Sequence, residues 1–202
     1  ETYGDNFGSA TYSNNDGTQN WTSDWVETND DTDPANGRIR INSSQLRFKN
    51  LDDKYITRNL DLNGANSATL TLDYDRTNGD ETILVQLYDG STFNTVRTLA
   101  GTSSISYTLT AAEMSTSSSI RLISGSGDWD NNETIFVDNV LITATFAVDS
   151  DSDGVPDTTD LDDDNDGLTD VDEYCTTANA AFLVSMDTGT RSVVVNHTNT
   201  GY

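Results

Sequence analysis

The chain reads as an all-β protein, an antiparallel β-sandwich or jelly roll over residues 1–147, with a short acidic segment of little regular structure behind it. Three observations predict this. Apolar residues alternate with polar ones in many short segments, the period of a strand with one buried face. Those segments are separated by clusters of Gly, Asn and Asp, the residues of turns. Hydrophobic residues make up only 34% of 202 residues, while Thr, Ser, Asn, Asp and Gly dominate, which suits strands with one solvated face.

GRIRIN places Ile39 and Ile41 on one face, and SQLRFKN does the same with Leu46 and Phe48. ATLTLDY carries Ala68, Leu70, Leu72 and Tyr74, and TILVQLY carries Ile83, Val85 and Leu87. SISYTL, SIRLIS and TIFVDNVLITATF continue the pattern with Ile105, Tyr107 and Leu109, then Ile120 and Leu122, then a long closing run. Segments at this spacing predict roughly eight to ten antiparallel strands in two packed sheets. One segment breaks the period: in TAAEM, Thr110 and Glu113 have capping-box spacing, which predicts a single helical turn crossing between the sheets.

Twelve acidic residues and no basic ones lie between Asp149 and Glu173. They form two copies of one loop, DSDSDGVPDTTD from Asp149 and DDDNDGLTDVDE from Asp162. Each copy has carboxylates at positions 1, 3, 5, 9 and 12, a glycine at 6 and an apolar residue at 7, the spacing of a calcium loop. Calcium takes six to eight oxygens, so one short loop supplies most of the shell only by curling alternate side chains inward. Asp149, Asp151 and Asp153 do this in the first copy, and Asp162, Asp164 and Asp166 in the second. Gly154 and Gly167 allow the sharp turn; Val155 and Leu168 offer backbone carbonyls and free their side chains to anchor a small apolar patch. Asp157 and Asp170 act through water, and Asp160 and Glu173 close the cage. Two adjacent copies argue against the blander reading of a solvated acidic linker.

These loops, D-S-D-S-D-G-V-P-D and D-D-D-N-D-G-L-T-D-V-D-E, resemble thrombospondin type 3 repeats of matrix proteins and secreted bacterial surface proteins, over about residues 149–175. Pro156 and the junction Asp160-Leu161-Asp162 leave no room for the long helices of an EF-hand. The sole cysteine, Cys175, departs from the cysteine-paired eukaryotic version. Over about residues 3–146, D-N-F, N-D-G-T-Q-N-W-T-S-D-W-V-E and I-F-V-D-N-V resemble jelly-roll ligand-binding modules of bacterial adhesins and polysaccharide-degrading enzymes. The layout is similar to that of MAM-type domains and several carbohydrate-binding module families. That resemblance implies a structural Ca²⁺ where the first and last strands meet, at Asp5 and Asp138 with Glu27; the competing reading of Asp138 is a solvent-facing strand carboxylate.

A ligand face needs aromatic rings the core does not use, because sugars stack C–H faces on rings and give hydroxyls to Asp and Asn. Trp129, flanked by Asp128, Asp130, Asn131 and Asn132 in the loop GSGDWDNNE, has this chemistry, and burial in the core is the alternative. Trp21 and Trp25 are read as core. With a single histidine, His197, and no G-x-S-x-G, H-E-x-x-H or phosphate-loop motif, a non-enzyme is expected; the abundant carboxylates leave a glycosidase dyad as the weaker option. The net charge of −24 excludes nucleic acid and anionic membranes as direct ligands, and no apolar run approaches the about 20 residues of a membrane span.

The expected organisation is a ligand-binding sandwich over residues 1–147, tandem calcium repeats over 148–175, and a packing strand segment or the start of a neighbouring module over 176–202, where AFLVSM and RSVVVN are strand-like. The expected function is non-catalytic binding of a glycan or other cell-surface ligand, outside the cell where calcium is millimolar. A purely structural, calcium-stiffened spacer is the alternative.

Overall fold

The computed structural model describes residues 1–126, 129, 132–151, 153–171, 185–186 and 193–194. The chain divides into two compact units, Glu1–Phe146 and Ala147–Tyr202. The first is a two-sheet antiparallel sandwich, as the alternating segments require.

Eleven strands of the first unit fall among the described residues: β1 (Thr2–Asp5), β2 (Val26–Thr28), β3 (Ile39–Asn42), β4 (Gln45–Lys49), β5 (Tyr55–Leu60), β6 (Ala65–Arg76), β7 (Ile83–Tyr88), β8 (Phe93–Leu99), β9 (Thr102–Thr108), β10 (Ser118–Ser124) and β11 (Thr134–Phe146). One sheet has the order β3-β4-β11-β6-β9, with β1 also paired to β11; the other runs β2-β5-β10-β7-β8. Strand β11 is the spine of the larger sheet. Its first half pairs with β4 from Thr134 to Val137, its second half with β1 from Val140 to Thr143, and its other edge pairs with β6. The register of that last pairing shifts between Asp138 and Leu141, where Asn139 has a φ of 50°. This bulge re-aims the side chains around it.

The inward faces form one core. Ile39, Leu46, Phe48, Leu70, Leu72 and Val137 come from the six-stranded sheet, and Ile56, Leu60, Ile83, Val85, Ile120 and Leu122 from the five-stranded one, all at 1% exposure or less. Trp21 and Trp25 join this core, as read from the sequence. The turn Ala111–Glu113 carries β9 of one sheet over to β10 of the other. The Glu113 carboxylate accepts the Thr110 backbone N–H at 2.7 Å, the reciprocal half of the capping box.

One polar group crosses the core. Arg58 of β5 is 2% exposed, and its Nη1 meets the Asp5 carboxylate of β1 at 2.7 Å. Its Nη2 donates to the Asn14 carbonyl at 2.7 Å and its Nε to the Ser23 carbonyl at 3.1 Å. The guanidinium stacks 4.6 Å from the Trp21 ring and 5.7 Å from the Trp25 ring. Asp5 also accepts from the Phe7 N–H, Asn14 Nδ2 and Trp25 Nε1, so the pair and its lone pairs are satisfied. Burial raises the Asp5 carboxyl and lowers the Arg58 guanidinium; those donors and the ion pair pull the other way. The loop between β1 and β2 is thereby tied to both sheets. Gly17 permits its closest approach, since a Cβ there would lie 2.3 Å from the Thr2 carbonyl oxygen.

In the second unit, β12 (Ser185–Met186) and β13 (Val193–Val194) pair antiparallel within the two runs read as strand-like. Among the described residues no helix is long and apolar enough to cross a membrane.

Asp5→Ala would leave the Arg58 charge buried without its partner. The expected loss of unfolding free energy is about 3–5 kcal/mol, read from urea denaturation, whereas an exposed aspartate such as Asp53 changed to alanine should shift it by about 0.5 kcal/mol or less.

Candidate functional site

The outward face of the six-stranded sheet holds a cleft. It has a volume of about 610 Å³, within the range of small-ligand sites, and is lined by Asn6, Asp16, Thr71, Asp73, Ser106 and Leu141 among others. A second hollow shares Asp73, Ser104 and Asn139 with it and continues toward Gln45, Asp75 and Asp138. Strand alternation puts these groups here: Leu70, Leu72 and Val137 face the core, so Thr71, Asp73 and Asp138 face out.

Cross-strand register arranges them in rows. Asp138 lies opposite Asp73, which lies opposite Ser104. Leu141 lies opposite Thr71, which lies opposite Ser106. The bulge residue Asn139 donates its side-chain amide to Asp73 Oδ2 at 2.8 Å and its backbone N–H to Asp138 Oδ1 at 2.8 Å. Partial burial, and the facing Asp73 charge, raise the Asp138 carboxyl, against hydrogen bonds from Asn139 and Gln45. The result is a shallow trough of carboxylate, amide and hydroxyl groups, acceptors and donors that suit a polyhydroxylated ligand.

The structure does not bring Asp5 and Asp138 together as cation ligands. Asp5 points into the core and is held by Arg58, while Asp138 faces the outer trough. Glu27, the third residue of that expectation, instead gathers with Asp30 and Asp31, their ligand oxygens within 4.8 Å of one another. Glu27 is buried, accepts the Tyr12 hydroxyl, and accepts the Thr32 N–H at 3.0 Å. Burial first, then the charges of Asp30 and Asp31, push the Glu27 carboxyl up to about 6, against the Tyr12 and Thr32 hydrogen bonds. Asp30 and Asp31 were missed in the sequence because they sit in an Asp-rich turn with no ligand-loop spacing.

Trp129 is also corrected. It is 9% exposed within the core, and its Nε1 donates to Ser124 Oγ at 2.8 Å, so its ring offers no stacking platform. Its flanking Asp128, Asp130 and Asn131 lie outside the described residues. The aromatic group that does share the outer face of the six-stranded sheet is Phe136, half-buried two residues before Asp138. Its position was legible in the alternation of TIFVDNV.

In the second unit both acidic loops fold alike. Gly154 N–H donates to Asp149 at 3.1 Å and Gly167 N–H to Asp162 at 3.0 Å, with both glycines left-handed at φ 96° and 93°. Val155 N–H donates to Asp153 at 2.8 Å, and Leu168 N–H to Asp166 at 2.9 Å. Asp157 and Asp170 each bond back to the backbone N–H of the loop's second residue, Ser150 and Asp163, at 2.8 Å. The oxygens of Asp149, Asp151 and Asp153, and those of Asp162, Asp164 and Asp166, converge within 4.8 Å in each loop, so both sets could hold a metal ion. Asn165 of the second loop donates to Asp151 of the first. Asp160 accepts the N–H groups of Leu161 and Asp162. Glu173 and Cys175 lie outside the described residues. Val155 and Leu168 are 40% and 51% exposed, so among the described residues the apolar patch expected of them does not form.

No family model matches the chain, and no curated protein matches it significantly. Solved structures of similar fold do. The K1 cleaved adhesin domain of Lys-gingipain from Porphyromonas gingivalis W83 is 18% identical, with 72% of this chain and 99% of that one covered and a TM-score of 0.47. The C-terminal family 22 carbohydrate-binding module of Clostridium thermocellum Xyn10B is 12% identical over 70% and 91%, with a TM-score of 0.44. The N-terminal cellulose-binding domain of Cellulomonas fimi β-1,4-glucanase C is 17% identical over 61% and 90%, with a TM-score of 0.42. The likeness is distant.

Proposed function

We propose that the first unit is a non-catalytic glycan-binding module that lays its ligand across the outer face of the six-stranded sheet, within an extracellular adhesin or secreted multidomain protein. The observation that carries this reading is the trough, whose Asp73, Asn139, Thr71, Ser104 and Ser106 present hydroxyl-matching groups from rigid strands. The opposite face of the sandwich supports the choice of side. There the Arg121 guanidinium is stacked 3.9 Å from Phe93 and 5.1 Å from Tyr55, and its Nε donates to Gln86 at 2.8 Å, so those aromatics are occupied by the protein itself.

Ca²⁺ is the cofactor of this reading. An all-oxygen donor set, with left-handed glycines at the loop turns, matches a hard cation that prefers six to eight oxygens. In the tandem loops Asp149, Asp151, Asp153, Asp157 and Asp160 would hold one ion with the Val155 carbonyl. Asp162, Asp164, Asp166, Asp170 and Glu173 would hold another with the Leu168 carbonyl, in the manner of thrombospondin type 3 repeats. Glu27, Asp30 and Asp31 would hold a third in the sandwich. Bound calcium neutralises carboxylates that otherwise repel one another and ties them into one shape. Millimolar external calcium would fill such sites, which supports the extracellular assignment.

A glycan array followed by calorimetry tests the binding reading. Asp73→Ala should weaken the ligand found by about tenfold or more, roughly 1.4 kcal/mol, with little change in melting temperature, because Asp73 faces solvent. No glycan bound, or a ligand unaffected by Asp73→Ala and Asn139→Ala, would return the sandwich to a structural spacer.

Limited proteolysis tests the calcium reading. Residues 149–171 should be cut readily in chelator and resist in millimolar Ca²⁺, and Asp166→Ala should restore cutting of the second loop. Equal cutting in both conditions contradicts it.

A further inference from the structure

The edge hairpin beside the trough carries an arrangement that the fold itself does not call for. Ser43 and Ser44, both left-handed at φ 54° and 59°, form the two-residue turn between β3 and β4 and set its register. That register puts Arg40 directly opposite Arg47, on the outer face, since Ile39, Ile41, Leu46 and Phe48 take the inner one. Like charges directly opposite on neighbouring strands destabilise a sheet.

Neither arginine has a carboxylate partner among the described residues. The ion pairs among the described residues are Lys54–Asp53 and Arg58–Asp5, and the Nε atoms of both Arg40 and Arg47 are buried without any hydrogen-bond partner. Arg47 makes one protein contact through its head group, Nη2 to the Gly37 carbonyl at 3.2 Å. In a chain of net charge −24, four of the ten basic residues, Arg38, Arg40, Arg47 and Lys49, fall in a stretch from residue 38 to 51 that holds no acidic residue.

The pair also continues the trough. Arg40, Arg47, Phe136, Asp75 and Thr102 lie opposite one another across five strands, one row beside Gln45, Asp138, Asp73 and Ser104. Phe136 stands between Arg47 and Asp75, and the Thr102 hydroxyl donates to Asp75, so that carboxylate is engaged on the far side of the ring. A ligand lying across the strands would meet Asp and Ser at one end and two planar guanidinium groups at the other.

Resting on the glycan-binding reading above, we propose that Arg40 and Arg47 together hold the carboxylate of a hexuronic acid residue, so that the ligand class is an acidic, uronate-bearing polysaccharide. Two guanidinium forks match a carboxylate in paired hydrogen bonds, and the anion converts a repulsive pair into an attractive trio. The acidic residues around Asp73 repel a second anion there and orient the chain, with uronate toward β3 and β4 and neutral sugar toward β9. Phe136 offers its ring to the sugar between them.

Calorimetry in millimolar Ca²⁺ tests this on the full chain with three probes: a neutral oligosaccharide ending in a single hexuronate, the same oligosaccharide with that carboxyl reduced to an alcohol, and the same oligosaccharide with a sulfate in place of the carboxylate. The uronate form should bind about tenfold or more tighter than the reduced form, and added salt should shrink that ratio. R47Q and the double variant R40Q/R47Q should erase the ratio while leaving affinity for the reduced form within about twofold. R47K keeps the charge and loses the fork, so it should retain only part of the preference. Without ligand the double variant should melt within about 4 °C of the parent, because it removes the repulsion and no ion pair while losing one hydrogen bond, from Arg47 to the Gly37 carbonyl.

Equal affinity for uronate and reduced forms in the parent chain overturns the inference while the glycan-binding reading stands, as does a uronate preference that survives R40Q/R47Q. Preference for the sulfated probe overturns the uronate assignment. Failure to bind any probe or any arrayed glycan overturns both readings.

Discussion

The buried contact between Asp5 and Arg58 is the constraint on which the rest of the first unit depends. It joins β1 of one sheet to β5 of the other through groups that are both out of solvent, so neither strand can shift without exposing a charge to an apolar interior. The long segment between β1 and β2 is organised by the same guanidinium, which takes the carbonyls of Asn14 and Ser23 and lies against Trp21 and Trp25. With β1 held in place, Gly4, Asn6 and Asp16 form one wall of the outer trough. A core contact thus shapes a surface site.

The floor beside that wall depends on β11. One strand serves three partners, and the bulge at Asn139 marks where β4 gives way to β1 along its edge. A regular strand would have placed Asn139 toward the core, on the other side from Asp138. The bulge lets both meet Asp73 on the outer face, which concentrates polar groups at the middle of the sheet. The acidic loops of the second unit follow a different logic, in which each carboxylate is placed by the backbone N–H groups of its own loop and a cation is the expected counter-charge.

Much of this was legible in the sequence where the signal was local. Seven strands follow directly from two-residue alternation, and the acidic loops from a spacing that a hard cation imposes. The first strand was placed at Asp5 through the resemblance, whereas β2, β5 and β8 were not seen, for separate physical reasons. Strand β2 has three residues, β8 is an edge strand whose residues are mostly exposed, and β5 puts a charged Arg58 between Ile56 and Leu60 on its inner face. Its partner Asp5 lies 53 residues away, so no local pattern connects them. Trp129 misled for the same reason: its neighbours in sequence are polar, while its neighbours in space are core. The trough was invisible because it is assembled from rows across strands, Asp138 with Asp73 with Ser104, whose register only the fold supplies.

The central claim is that the outer face of the six-stranded sheet is where ligand lies. Amide chemical shifts followed by NMR during titration with the neutral oligosaccharide ending in a single hexuronate distinguish the two faces of the sandwich. Shifts should concentrate at Arg47, Thr71, Asp73, Ser104, Ser106 and Asn139, with Arg121, Gln86 and Phe93 on the opposite sheet unmoved. Shifts confined to that opposite sheet, or none at saturating ligand, would contradict it.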